Sequence, residues 1–115
     1  MMTGIERFMA DLMELGFKPQ QRGSLVVVEL DVTVDGRIDL NDVATDPPAD
    51  FPNVPPHWIH LRKELMLPDG GGRTSVLGDG WRRWSRQKNP WTGGDRGVRE
   101  WLAHARSLLL AATLA

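Results

Sequence analysis

The chain has 115 residues, 41% hydrophobic and 25% charged, the size and balance of one ordinary globular domain. It contains no cysteine, which excludes thiol nucleophiles, thiolate metal sites, iron–sulfur clusters and disulfide staples. The formal net charge is −1 but uneven: residues 1–50 carry 4 basic and 10 acidic side chains, net −6, and residues 51–115 carry 10 basic and 5 acidic, net +5. Such asymmetry marks a partner surface or two differently solvated faces.

No basic start followed by an apolar run opens the chain. The longest apolar tract, Leu108 to Ala112, is far short of the roughly 20 residues that span a bilayer. A cytoplasmic protein without membrane contact is expected.

Thr3 and Glu6 have capping-box spacing, and Ile5, Phe8, Met9 and Leu12 follow at helical spacing. They predict an amphipathic helix over 4–15, with Gly16 as its stop. Val28, Leu30, Val32 and Val34 alternate with Glu29, Asp31 and Thr33, which predicts a strand over 25–34 with one wet face. Asp35-Gly36 predicts a two-residue hairpin turn, with 37–40 as the return strand. Five of the eight prolines fall in 46–56, which predicts a stiff extended loop. His57 to Leu61 reads as a short strand. The glycines at 70–72, 78 and 80 predict a long irregular segment. From Asp95, a candidate N-cap, Val98, Trp101, Leu102, Ala105, Leu108, Leu109 and Ala112 line one helical face. The expected architecture is a single α+β domain over 1–115, with an N-terminal helix, an antiparallel β-meander, an irregular segment and a C-terminal helix.

Few motifs carry chemistry on their own. His57 and His60 stand three apart; in a strand that spacing sends the imidazoles to opposite faces, so no metal site is expected. Gly70-Gly71-Gly72-Arg73-Thr74-Ser75 lacks the Gly-Lys-Ser/Thr ending of a phosphate-binding P-loop and reads as a flexible loop. Trp81-Arg82-Arg83-Trp84-Ser85-Arg86-Gln87-Lys88 interleaves aromatics with cations and suits a protein-binding patch, with nucleic acid less favoured. Ser75 and Ser85 read as loop serines, His57, His60 and His104 as scattered, and no Gly-x-Ser-x-Gly elbow is present, so no catalytic triad is legible. No cofactor is implied.

Taken in order, these elements resemble the ubiquitin-conjugating (UBC-like) superfamily. Phe51-Pro52-Asn53-Val54-Pro55-Pro56 is similar to the aromatic-Pro-x-x-Pro-Pro segment that ends its meander. Trp91-Thr92-Gly93 resembles the Trp-Ser-Pro that starts its next helix, and the run to Leu110 resembles that helix. Gly80 to Arg86, with its Trp-Ser-Arg core, is similar to a cysteine-less bacterial branch, the prokaryotic family E type, although Gln87 stands where that branch has His. The likeness spans about residues 4 to 110. Two departures stand out: the family's His-Pro-Asn is Leu67-Pro68-Asp69 here, and the interval where its cysteine belongs contains Ser75 and Ser85 and no cysteine.

The resemblance implies a component of a bacterial ubiquitin-like modification system, with a ubiquitin-like protein and an activating-enzyme-like protein as partners. It implies a serine carrier: Ser85 first, Ser75 second, with His60 as base and Arg83 or Arg86 stabilising charge. Trp81, Arg82, Arg83, Trp84 and Trp91 would contact the partner. The alternative is a catalytically inactive UBC-like module that binds the same partners. A nucleic-acid-binding domain is the third possibility.

Overall fold

The computed structural model describes residues 2–34, 36–37, 39–86 and 90–114. Helix α1, Gly4–Glu14, starts at the capping box: Glu6 N–H donates to Thr3 Oγ1 and Thr3 N–H to Glu6 Oε1, both at 3.1 Å. It ends in a Schellman motif, in which Phe17 N–H reaches Leu12 O and Gly16 N–H reaches Met13 O. Gly16 takes φ 91°, a conformation that penalises any Cβ. Phe8 and Leu12 are fully buried, with Ile5 and Met9 packed beside them.

Strands β1 (Gln20–Arg22), β2 (Leu25–Glu29), β3 (Asp42–Thr45) and β4 (Trp58–Arg62) form an antiparallel meander. After β5 (Leu65–Met66) come β6 (Arg73–Thr74) and β7 (Trp81–Ser85). Strand β7 pairs with β4, so the sheet order is β1-β2-β3-β4-β7-β6. A 3-10 turn, Gly94–Arg96, leads into helix α2, Gly97–Ala111. Strand β8 (Thr113–Leu114) pairs with β5 in a separate ribbon.

The core lies between one face of the sheet and the two helices. Val26, Val28, Val43, Ile59, Leu61 and Trp84 meet Phe8, Leu12, Trp101, Leu102 and Leu109. Phe8 sits edge-on to both Phe51 and Trp101, with centroids 5.1 and 5.0 Å away. Among the described residues no helix is long and apolar enough to cross a membrane.

Three expectations change. The 25–34 strand ends at Glu29, and β2 is buried on both faces, because Val27 packs with Ala44 and Trp81 on the side away from the helices. The chain then leaves the sheet. The hairpin register itself holds, since Val34 opposite Arg37, Leu30 N–H bonded to Asn41 O and Val28 opposite Val43 all belong to it; β2 and β3 are the arms, and the return strand falls at 42–45, not 37–40. Burial explains the interruption: Leu30 and Val34 keep the core-facing parity of Val28, but Leu40, opposite Asp31 in this register, also enters the core, where an unbroken ladder would turn it to the other face. Asp35 and Ile38, within the expected hairpin, lie outside the described residues.

Second, the segment from Gly70 to Arg86 is only partly irregular, since it contributes β6 and β7. Gly72 is needed there: a Cβ on it would lie 2.8–3.1 Å from the Trp84 ring. Third, Asp95 does not cap α2. Its carboxylate receives Arg7 Nη2 at 3.3 Å, and the helix begins without a side-chain cap.

Candidate functional site

The β4–β7 ladder organises the chemistry. Its register sets Trp58 opposite Ser85, Ile59 opposite Trp84, His60 opposite Arg83 and Arg62 opposite Trp81. Because strand side chains alternate, Ile59 and Trp84 point into the core while Trp58, His60, Arg62, Trp81, Arg83 and Ser85 share the other face. Arg62 lies 4.3 Å over the Trp81 ring and holds Asp42 through three contacts of 2.6 to 3.0 Å, and Arg83 lies 4.2 Å over the Trp58 ring.

Two serine–histidine pairs emerge on this framework. His57 Nε2 and Ser85 Oγ are hydrogen-bonded at 2.5 Å, and both residues are exposed. His60 Nδ1 and Ser75 Oγ are hydrogen-bonded at 2.7 Å, and both are buried, 3% and 4% exposed. Leu77 N–H also donates to Ser75 Oγ. The serines are therefore not isolated and the histidines not scattered. The pairing differs from the expected one: His60 meets Ser75, the second-choice serine, and His57, set aside in the sequence as metal ligand and as triad member, meets Ser85.

The two pairs differ in what they can do. Burial, then the nearby Arg83 charge, pushes His60 down to about 4. His60 is thus neutral near pH 7, inside a closed contact that a bulky acyl donor cannot enter. Between pH 6.5 and 4 the unfolded chain takes up a proton that the folded chain refuses. Stability therefore falls as pH drops through that window, by up to about 3 kcal/mol. Denaturant melts of wild type and His60→Gln between pH 4 and 7 check this. The variant's pH dependence is expected to be flatter; equal slopes would contradict it.

Ser85 stands at the end of β7, open to solvent, with Arg83 two residues back on the same face. Among the described residues the Arg83 Nε is buried without a hydrogen-bond partner. Arg86 is otherwise engaged. Its Nη2 donates to Pro68 O and Gly70 O, both at 2.8 Å, its Nη1 donates to Ser85 O, and His104 Nε2–H donates to Arg86 O at 2.9 Å. Arg86 thus ties Leu67-Pro68-Asp69 and α2 to the end of β7. These bonds occupy the Arg86 guanidinium, whereas Arg83 Nε has no such partner among the described residues.

The expected contact surface shrinks. Trp84 is 1% exposed and Trp81 5%, so neither ring is offered to a partner. Trp91 stacks toward Phe51, and its Nε1–H donates to Pro52 O at 2.8 Å, anchoring the proline-rich turn. Arg82 remains exposed and Arg83 half-buried. Gln87 and Lys88 lie outside the described residues. Among the described residues no group of three or more His, Asp or Glu is placed to hold a metal ion. A cleft of about 490 Å³ at the β6 edge gathers Arg73, Thr74, Asp79 and Arg82 but no acid–base pair.

One signal in the sequence could have revealed the Ser85 site. It is faint: Trp81 and Trp84 stand three apart and fall on opposite faces, so no alternation marks the strand, and only the Trp-Ser-Arg sequence singles out Ser85. The chain matches none of the protein-family models, curated proteins or solved structures compared with it.

Proposed function

We propose that the protein is a ubiquitin-conjugating-enzyme-like carrier that takes the C-terminus of a ubiquitin-like protein onto Ser85. The observation that carries this reading is the exposed 2.5 Å contact between Ser85 Oγ and His57 Nε2, inside the Trp-Ser-Arg sequence. A serine hydroxyl is almost wholly protonated at neutral pH and needs an adjacent base, which His57 supplies. The Ser85 oxygen attacks the activated carbonyl, an Oγ–C ester bond forms, and the bond to the leaving group on the activating-enzyme-like protein breaks. The hydroxyl proton passes to His57 Nε2 and then to the leaving group. Arg83 offers positive charge near the developing oxyanion.

The element order supports the superfamily resemblance: a helix, a meander whose last connection, between β3 and β4, is the proline-rich turn pinned by Trp91, and a closing helix. So does Arg86, which draws Leu67-Pro68-Asp69 to the end of β7 although 16 to 18 residues separate its bonded partners in sequence. The position is open, as a macromolecular acyl donor requires. Intact mass spectrometry of the chain mixed with its ubiquitin-like protein, activating enzyme and ATP tests the reading. The expected result is an adduct lost in Ser85→Ala and retained in Ser75→Ala. Binding without an adduct would favour the inactive module instead.

A further inference from the structure

We propose that Asp46 is the positioning residue for His57, completing a carboxylate–imidazole–hydroxyl row across the ends of β3, β4 and β7. This inference rests on Ser85 as the nucleophile. Thr45 pairs with Ile59, so the next step along the β3–β4 register sets Asp46 level with Trp58, which itself stands opposite Ser85. His57 adjoins that row. When its Nε2 accepts the Ser85 proton, its Nδ1 carries the other hydrogen and needs an acceptor to hold the ring.

Asp46 has the acceptor to give. Its Oδ1 is buried and, among the described residues, makes no hydrogen bond. An unsatisfied buried acceptor is unfavourable unless another state uses it. Burial pushes the Asp46 carboxyl above its usual range, while backbone hydrogen bonds at Asp46 and Trp58 and the charges of His57 and Arg83 favour its ionised form. A positive charge appearing on His57 during proton transfer is the event that rewards an ionised Asp46. Arg83 is the rival claimant, since its Nε is buried and unpartnered in the same corner. If Arg83 takes the carboxylate, Asp46 is a structural ion-pair partner and leaves His57 untouched.

An alkyl fluorophosphonate probe on the full chain reads Ser85 reactivity with no protein partner. The Ser85 Oγ–P bond forms, the P–F bond breaks, and the hydroxyl proton passes through His57 Nε2 to leave with fluoride. Asp46→Asn is expected to label at least about 10-fold more slowly than wild type, and Asp46→Glu to recover part of the rate. In parallel, nitrogen-15 NMR of the imidazoles is expected to show His57 as the Nδ1–H tautomer in wild type and as a mixture in Asp46→Asn. Unchanged labelling together with an unchanged tautomer would overturn the proposal. A wild type that does not label at Ser85 would overturn the nucleophile reading instead, and the tautomer measurement would then decide Asp46 alone.

Discussion

Replacing His57 with glutamine is expected to slow acyl transfer onto Ser85 by roughly 10²–10⁴-fold, the usual contribution of a positioned general base. Ser85 Oγ lies 2.5 Å from His57 Nε2, whereas His60 Nδ1 is spent on Ser75 in a contact only a few per cent exposed. His60 therefore cannot stand in for His57 without opening the face of the sheet that Ser75 and Leu77 cover. Glutamine at 57 keeps a hydrogen-bonding group of similar reach but cannot take a proton at neutral pH. Single-turnover formation of the adduct, followed by mass spectrometry in His57→Gln and His60→Gln, separates the two. A full rate in His57→Gln with a collapsed rate in a folded His60→Gln would return the base to His60.

Trp84→Ala is expected to destabilise the protein by about 3–5 kcal/mol, the range for emptying a buried aromatic site. For a domain whose total stability is about 5–15 kcal/mol, that is a large fraction. Trp84 is 1% exposed, packs in the core across from Ile59 and closes against Gly72. Its ring fills space that no neighbour can occupy without moving the glycine loop, so the cavity cannot collapse cheaply. A denaturant midpoint that falls sharply in Trp84→Ala and less in Trp84→Phe fits this placement. An unchanged midpoint with lost partner binding would restore Trp84 to the contact surface suggested by its tryptophan–arginine neighbourhood.

These two residues show how far the sequence could be read. Both helices were legible because Phe8 and Leu12, then Val98, Trp101, Leu102, Ala105 and Leu109, repeat at a spacing that only a helix puts on one face. The capping box and Gly16 marked one helix's ends by local hydrogen-bonding chemistry. Strands β2 and β4 were located, and so was the hairpin register of β2, but not the place of its return strand or the pairing of β7 with β4. Pairing depends on burial from both sides of the sheet, and the entry of Leu40 into the core interrupts the ladder that alternation suggested.

Strand β7 was hidden by its own composition. Five residues with two tryptophans and two arginines look like a surface patch, yet alternation sends Trp84 inward and lays Trp81 under Arg62. The site followed the same logic. Ser85 and Ser75 stood out as the short nucleophiles in the region where the resemblance places its cysteine. His60 was the expected base, but which histidine meets which serine was not legible, because the contacts span 28 and 15 residues and depend on how the strands pair. A one-residue slip of β7 would turn Ser85 into the core and remove His57 from its reach.

The most direct measurement is peptide mapping by tandem mass spectrometry of the wild-type chain after reaction with its ubiquitin-like protein, activating enzyme and ATP. The account predicts one acyl group on Ser85, released by hydroxylamine and resistant to mild thiol treatment, as an oxygen ester should be. An acyl group on Ser75 or on a lysine, or no covalent product while the partners bind, would contradict it.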